Sequence, residues 1–99
     1  MKKIAIFGST GSIGSSLLKI IKDDQKNFKI ELLTANKNYK KLIKQVKFFN
    51  VKNIVVTDYN SFLITTKLLK NTKVKVFKNF NSLNKIFNTN NKIDYSMCA

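Results

Sequence analysis

Apolar and polar positions along the chain fall into short runs that switch between two periods. Ile4-Ala5-Ile6-Phe7 is continuous and rich in isoleucine, as in a strand covered on both faces, and predicts a first strand over Lys2–Phe7. Beyond a polar interval, Ile13, Leu17, Ile20 and Ile21 recur at i, i+4, i+7 and i+8 and predict one buried helix face. Ser12 is the expected cap of that helix, and Asp23 and Asp24, which oppose its C-terminal dipole, mark its end. Phe28–Thr34 reads as the second strand, with Phe28, Ile30, Leu32 and Leu33 as its apolar positions. Ala35-Asn36-Lys37-Asn38 is a loop ending on a good N-cap, and Tyr39, Leu42, Ile43, Val46 and Phe49 give a second amphipathic helix. Asn53–Thr57 is the third strand. Asp58 or Asn60 opens a third helix carrying Phe62, Leu63, Leu68 and Leu69.

Lys73–Phe77 alternates strictly between polar and apolar, which predicts a strand with one wet face at a sheet edge. Asn79 or Asn81 starts a short helix with Phe80, Leu83, Ile86 and Phe87, and Ile93–Ala99 is an apolar fifth strand. Strands alternating with helices across short connections predict an α/β fold. The expected form is a Rossmann-like doubly wound parallel sheet, βαβαβαβαβ, incomplete at its C-terminus. The wet strand should lie beside the third and the last strand beside the first, giving the order 4-3-2-1-5.

Composition changes little in this picture. The net charge of +14 comes entirely from lysine, which raises nucleic-acid or anionic-membrane binding as a possibility. Thirteen asparagines and the absence of Pro, Trp and His point instead to a drift toward Lys, Asn, Ile and Phe. The lysines are dispersed, and arginine, with its bidentate fork for phosphate and guanine, is missing. The expectation is therefore no nucleic acid and no membrane partner. No secretory signal is legible, and the single Cys98 fits a reducing cytoplasm.

The candidate chemistry lies between the first strand and the first helix. Gly8-x-x-Gly11-x-x-Gly14 differs from the dinucleotide fingerprint by one residue in its first spacing. Gly8 allows a sharp turn at the strand end, Gly11 keeps a side chain away from a pyrophosphate, and Gly14 lets the helix pack close to the strand. The amides of Gly11, Ser12 and Ile13 should present the positive helix end to that phosphate, with Ser9, Thr10 and Ser12 adding hydroxyls. No Gly-Lys-Ser/Thr follows, which excludes a nucleotide-triphosphate loop. An acid at the end of the second strand would select NAD. Instead Asn36-Lys37-Asn38 holds none, and Lys37 supplies a cation where a 2′-phosphate would sit, so the expected cofactor is NADPH.

Other residues read as structural. Cys98 has no histidine partner and is expected to be a small buried residue. Lys40, Lys41 and Lys44 are expected on a solvated helix face, and Phe48 and Phe49 in the core. Asp23, Asp24, Glu31, Asp58 and Asp94 are not spaced as a metal cluster.

Residues 2–14, Lys-Lys-Ile-Ala-Ile-Phe-Gly-Ser-Thr-Gly-Ser-Ile-Gly, resemble the N-terminus of the 1-deoxy-D-xylulose 5-phosphate reductoisomerase family. Ala35-Asn36-Lys37-Asn38 resembles that family's second cofactor loop, in which glycine often stands at the position of Asn36. Asp94-Tyr95-Ser96-Met97-Cys98-Ala99 resembles a later strand. The resemblance implies an NADPH-dependent oxidoreductase and isomerase of the non-mevalonate isoprenoid pathway, acting on a phosphosugar with Mg or Mn. It implies a homodimer, and the expected localisation, from the single cysteine, is cytoplasmic. Thr10, Gly11, Ser12 and Ile13 would contact the dinucleotide phosphates and ribose, while Asn36, Lys37 and Asn38 would surround the 2′-phosphate.

On this reading residues 1–99 are an N-terminal NADPH-binding domain fragment, inactive alone. The catalytic, metal-binding and C-terminal parts would lie beyond Ala99. Two alternatives remain: another two-domain reductase of the semialdehyde or dihydrodipicolinate type, or a small basic nucleic-acid-binding module.

Overall fold

The computed structural model describes residues 1–82 and 93–99. Its elements run β1 (Lys2–Phe7), α1 (Ser12–Lys22), β2 (Phe28–Ala35), α2 (Tyr39–Phe49), β3 (Asn53–Val56), α3 (Tyr59–Leu68), β4 (Lys75–Phe77), a 3₁₀ turn (Phe80–Ser82) and β5 (Tyr95–Cys98). The five strands form a sheet of order β4-β3-β2-β1-β5 with every pairing parallel, as the sequence predicts. The winding reverses at β1, where β5 returns to the free side of the first strand.

The larger core joins Ile4, Ile6, Ile30, Leu33, Ile54 and Val56 of the sheet to Leu18 and Ile21 of α1, Leu42 and Val46 of α2, and Leu69 after α3. Among the described residues, α1, α2 and α3 therefore cover one face of the sheet. A smaller cluster of Ala5, Leu32 and Val55 lies on the other face, with Phe7, Phe77 and Ile93 packed against it. Buried Leu32 and Leu33 belong to different clusters. Ile30 and Leu32 both belong on one side by simple alternation. The register slips, however: Ile4 faces Ile30 while Ala5 faces Leu32, so Glu31 is an extra residue. The Glu31 side chain is buried at this bulge, and Lys29 Nζ lies 3.4 Å from its carboxylate.

Several local expectations are corrected. The buried face of α1 is Gly14, Leu18 and Ile21, while Ile13 and Ile20 are 64% and 66% exposed. Close packing of Gly14 under the first turn rotates the helix away from the face that apolar periodicity selects. Its N-cap is Gly11 without a side-chain bond, and Ser12 is the first helical residue. In α3 the buried residues are Ser61 and Thr65, and Leu63 and Leu68 are exposed. Local hydrogen bonds explain this: Ser61 Oγ lies 2.7 Å from Asp58 Oδ2, and Thr65 Oγ1 donates to the Ser61 carbonyl at 2.7 Å.

β4 starts at Lys75, because Thr72 Oγ1 bonds the Leu69 carbonyl and the Val74 amide and prolongs the turn. Asn79 Oδ1 accepts from the Asn81 amide at the start of the 3₁₀ turn; the rest of the expected short helix, with Leu83, Ile86 and Phe87, lies outside the described residues. Cys98 is exposed, since Met97 takes the core-facing position on edge strand β5. Phe48 is 53% exposed, and only Phe49 packs against the core.

Candidate functional site

β1 and β2 run parallel, so the turn after β1 and the loop after β2 emerge at the same sheet end, beside the reversal of winding. Gly8 closes β1 with φ +78°, a conformation open mainly to glycine. Its amide donates to Thr34 Oγ1 at 2.8 Å, and the Ser9 amide donates to the Thr34 carbonyl at 3.0 Å. A Cβ on Gly14 would lie 2.5 Å from the Gly8 oxygen and 2.6 Å from Ser9 Cα, so only glycine lets α1 approach this closely. A Cβ on Gly11 would meet nothing nearer than the Gly8 oxygen at 3.6 Å, which leaves the space above the turn open.

The donors are not quite those the motif suggests. The Gly11 amide is already bonded to the Gly8 carbonyl at 3.2 Å. The first helical bond runs from the Ser15 amide to the Gly11 carbonyl at 2.9 Å. Ser12 and Ile13 thus occupy the first turn, where amides have no intrahelical acceptor, and both residues are exposed. They form an anion ledge at the positive end of α1. Ser9 is also reassigned. Its side chain is fully buried, and Ser9 Oγ donates to Gln45 Oε1 at 2.8 Å. Gln45 Nε2 returns a bond to the Ser9 carbonyl at 2.9 Å.

The second loop is held from β3 and α3. Asn36 Nδ2 donates to Thr57 Oγ1 at 2.6 Å, and the Asn36 carbonyl accepts from the Asp58 amide at 3.3 Å. The Lys37 carbonyl accepts from the Tyr39 amide, with Ser61 Oγ 3.3 Å away, leaving an exposed Lys37 side chain. Asn38 caps α2 as expected, accepting from the Lys41 amide at 3.3 Å. Asp58 caps α3, and its carboxyl is held below the ordinary aspartate value. The Ser61 hydroxyl is the main cause, followed by the Ser61 amide and, last, the charge of Lys37.

The structure thus brings Gly8, Thr10, Gly11, Ser12, Ile13 and Gly14 together in one turn. It sets Asn36, Lys37 and Asn38 on the neighbouring loop. Sequence reasoning missed Thr34, Gln45, Lys41, Thr57 and Ser61, which fix these two pieces. Gln45 carried a signal, being polar among Leu42, Val46 and Phe49 on the buried side of α2. Lys41 carried none. Its Nζ donates to the Thr10 carbonyl at 2.9 Å, so it is not merely solvated.

A groove of about 320 Å³ lies between α1 and α2, lined by Leu18, Lys22, Lys44 and Phe48 and adjoining the turn through Lys41 and Gln45. Most of its lining surface is apolar. Open amides at a helix end, the Thr10 and Ser12 hydroxyls and the ammonium groups of Lys37 and Lys41 suit a dinucleotide bearing an extra phosphate. Among the described residues, no three His, Cys, Asp or Glu side chains gather as a metal site. No helix among them is long and apolar enough to cross a membrane.

Comparison with known proteins agrees with this geometry. A family model for 1-deoxy-D-xylulose 5-phosphate reductoisomerase matches residues 4–99. The 1-deoxy-D-xylulose 5-phosphate reductoisomerase of Pelagibacter ubique (strain HTCC1062) is 93% identical over 99 residues, covering 100% of this chain and 26% of that protein. The solved structure of the Zymomonas mobilis reductoisomerase in complex with NADPH is 28% identical. It superposes with a TM-score of 0.76 over 85% of this chain and 22% of that one. A reductoisomerase in complex with NADPH, fosmidomycin and magnesium, 22% identical, shares the fold with a TM-score of 0.84 over 97% of this chain and 24% of its own. The chain spans about a quarter of the length of the curated relatives it matches.

Proposed function

The chain belongs to the 1-deoxy-D-xylulose 5-phosphate reductoisomerase family, and from that premise we propose that it is the N-terminal NADPH-binding part of such an enzyme. The whole protein isomerises and reduces 1-deoxy-D-xylulose 5-phosphate to 2-C-methyl-D-erythritol 4-phosphate, with a divalent metal held by residues outside this chain. Residues 1–99 act as its dinucleotide-binding domain and do not catalyse alone. Family membership leaves the semialdehyde-type reductase and the nucleic-acid module unfavoured.

The observation that carries the assignment is the ledge at Ser12 and Ile13. Exposed residues at a helix N-terminus stand over a turn whose Gly8, Ser9 and Gly11 amides are already bonded. Thr10, Gly11, Ser12 and Ile13 receive the pyrophosphate and adjoining ribose, the Gly11 backbone by close approach rather than through its amide. Gly8 and Gly14 shape the turn. Asn36, Lys37 and Asn38 face the 2′-phosphate end, with the positive charge of Lys37 in place of the acid that would grip a 2′-hydroxyl. The reduced nicotinamide, when bound, supplies hydride to a substrate seated on the rest of the enzyme. A cytoplasmic homodimer is the expected setting for the whole protein.

Turnover by the full-length protein tests this reading. Given 1-deoxy-D-xylulose 5-phosphate and magnesium, it should consume NADPH, and omitting either the sugar phosphate or the metal should stop consumption. No consumption with all three present would refute it.

A further inference from the structure

We propose that Lys41 is a second cation of the 2′-phosphate subsite and, with Lys37, sets a preference for NADPH over NADH. This deepens the cofactor assignment above and rests on it. Lys41 is bonded to both halves of the site: its amide is capped by Asn38 at 3.3 Å and its Nζ sits on the Thr10 carbonyl at 2.9 Å. The root of the side chain is therefore fixed on the second loop while its charge rests over the phosphate turn. The two-way bond between Gln45 and Ser9, one helical turn further along α2, locks that helix in register with the turn.

The chemistry suits a phosphate dianion. The Thr10 carbonyl offers the ammonium group only a dipole, whereas a phosphate oxygen offers an acceptor with a full opposite charge. Among the described residues no carboxylate is paired with Lys41. Lys37, by contrast, shares its field with Asp58. Lys41 is exposed, so exchanging the Thr10 carbonyl for a phosphate oxygen buries no new charge. Its location between turn and loop would let it meet a 2′-phosphate held by both elements.

The test is an equilibrium titration of the full-length protein, read by fluorescence of the reduced nicotinamide. NADPH and NADH are compared on the wild type, Lys41→Met and Lys41→Arg. Lys41→Met should weaken NADPH by about tenfold to a hundredfold and NADH by less than about twofold, because only NADPH loses a charge-assisted bond. Lys41→Arg should retain most of the preference, and thermal melts should show both variants folded. Equal weakening of both dinucleotides, or no weakening of NADPH, would overturn the role of Lys41 while leaving the cofactor site intact. A wild type that binds neither dinucleotide would overturn the cofactor reading and this proposal together.

Discussion

Gly14 and Gly11 stand three residues apart and do different work. At Gly14 a methyl group would enter backbone atoms at 2.5–2.9 Å, which cannot move aside as a flexible side chain would. Gly14→Ala should therefore destabilise the fold by about 1–3 kcal/mol in urea unfolding, as overpacking does. At Gly11 the same methyl group meets ordinary contact distance, so Gly11→Ala should cost no more than about 1 kcal/mol, the scale of a poorer N-cap. NADPH binding should nonetheless fall, since the methyl group occupies the approach to the turn. Equal losses of stability in the two variants would contradict this division.

Asp58 makes a third prediction at this scale. Its folded pKa is lowered, so its stabilising contribution is complete above the unfolded value and disappears as pH falls through the folded one. Asp58→Asn should lower Tm at neutral pH, and the gap to wild type should close in acid. A gap unchanged by pH would place the effect in capping geometry and not in charge. The glycines were legible in the sequence because each has a single steric reason. The destination of Ser9 was not, because a serine beside a glycine turn serves a ligand or the fold equally well until its neighbour on α2 is known.

Among elements, the rotation of α1 shows where periodicity runs out. Ile13, Leu17, Ile20 and Ile21 define an apolar stripe, but helix orientation is set by the closest backbone approach, at Gly14. Two isoleucines are left outside as a result. The bulge at Glu31 was similarly hidden, since one-residue slips are decided by strand pairing and not by strand composition. The α2 helix is attached to the turn by Gln45. Gln45→Leu removes both bonds to Ser9 and leaves the Ser9 carbonyl without its partner, at a cost of about 1–3 kcal/mol. Ser9→Ala alone should cost less. In a double-mutant cycle by denaturant unfolding, the two should couple and not add; strict additivity would mean that the pair does not act as a unit.

For the molecule as a whole, strand order could be read from the sequence because short right-handed crossovers leave few arrangements. The wet Lys73–Phe77 pattern then marked its own edge. The convergence of the two candidate loops was legible for the same reason: adjacent parallel strands must deliver their C-terminal loops to one place. What tied those loops together was not legible, because Thr34, Lys41, Thr57 and Ser61 act through single contacts that leave no period or spacing. The central claim is that Gly8–Gly14 and Asn36–Asn38 together receive NADPH. Backbone amide hydrogen exchange on the full-length protein, with and without NADPH, tests it most directly. Slower exchange of Ser12 and Ile13, together with the Asn36–Asn38 loop, is the expected result. Unchanged exchange at both segments under saturating NADPH would contradict it.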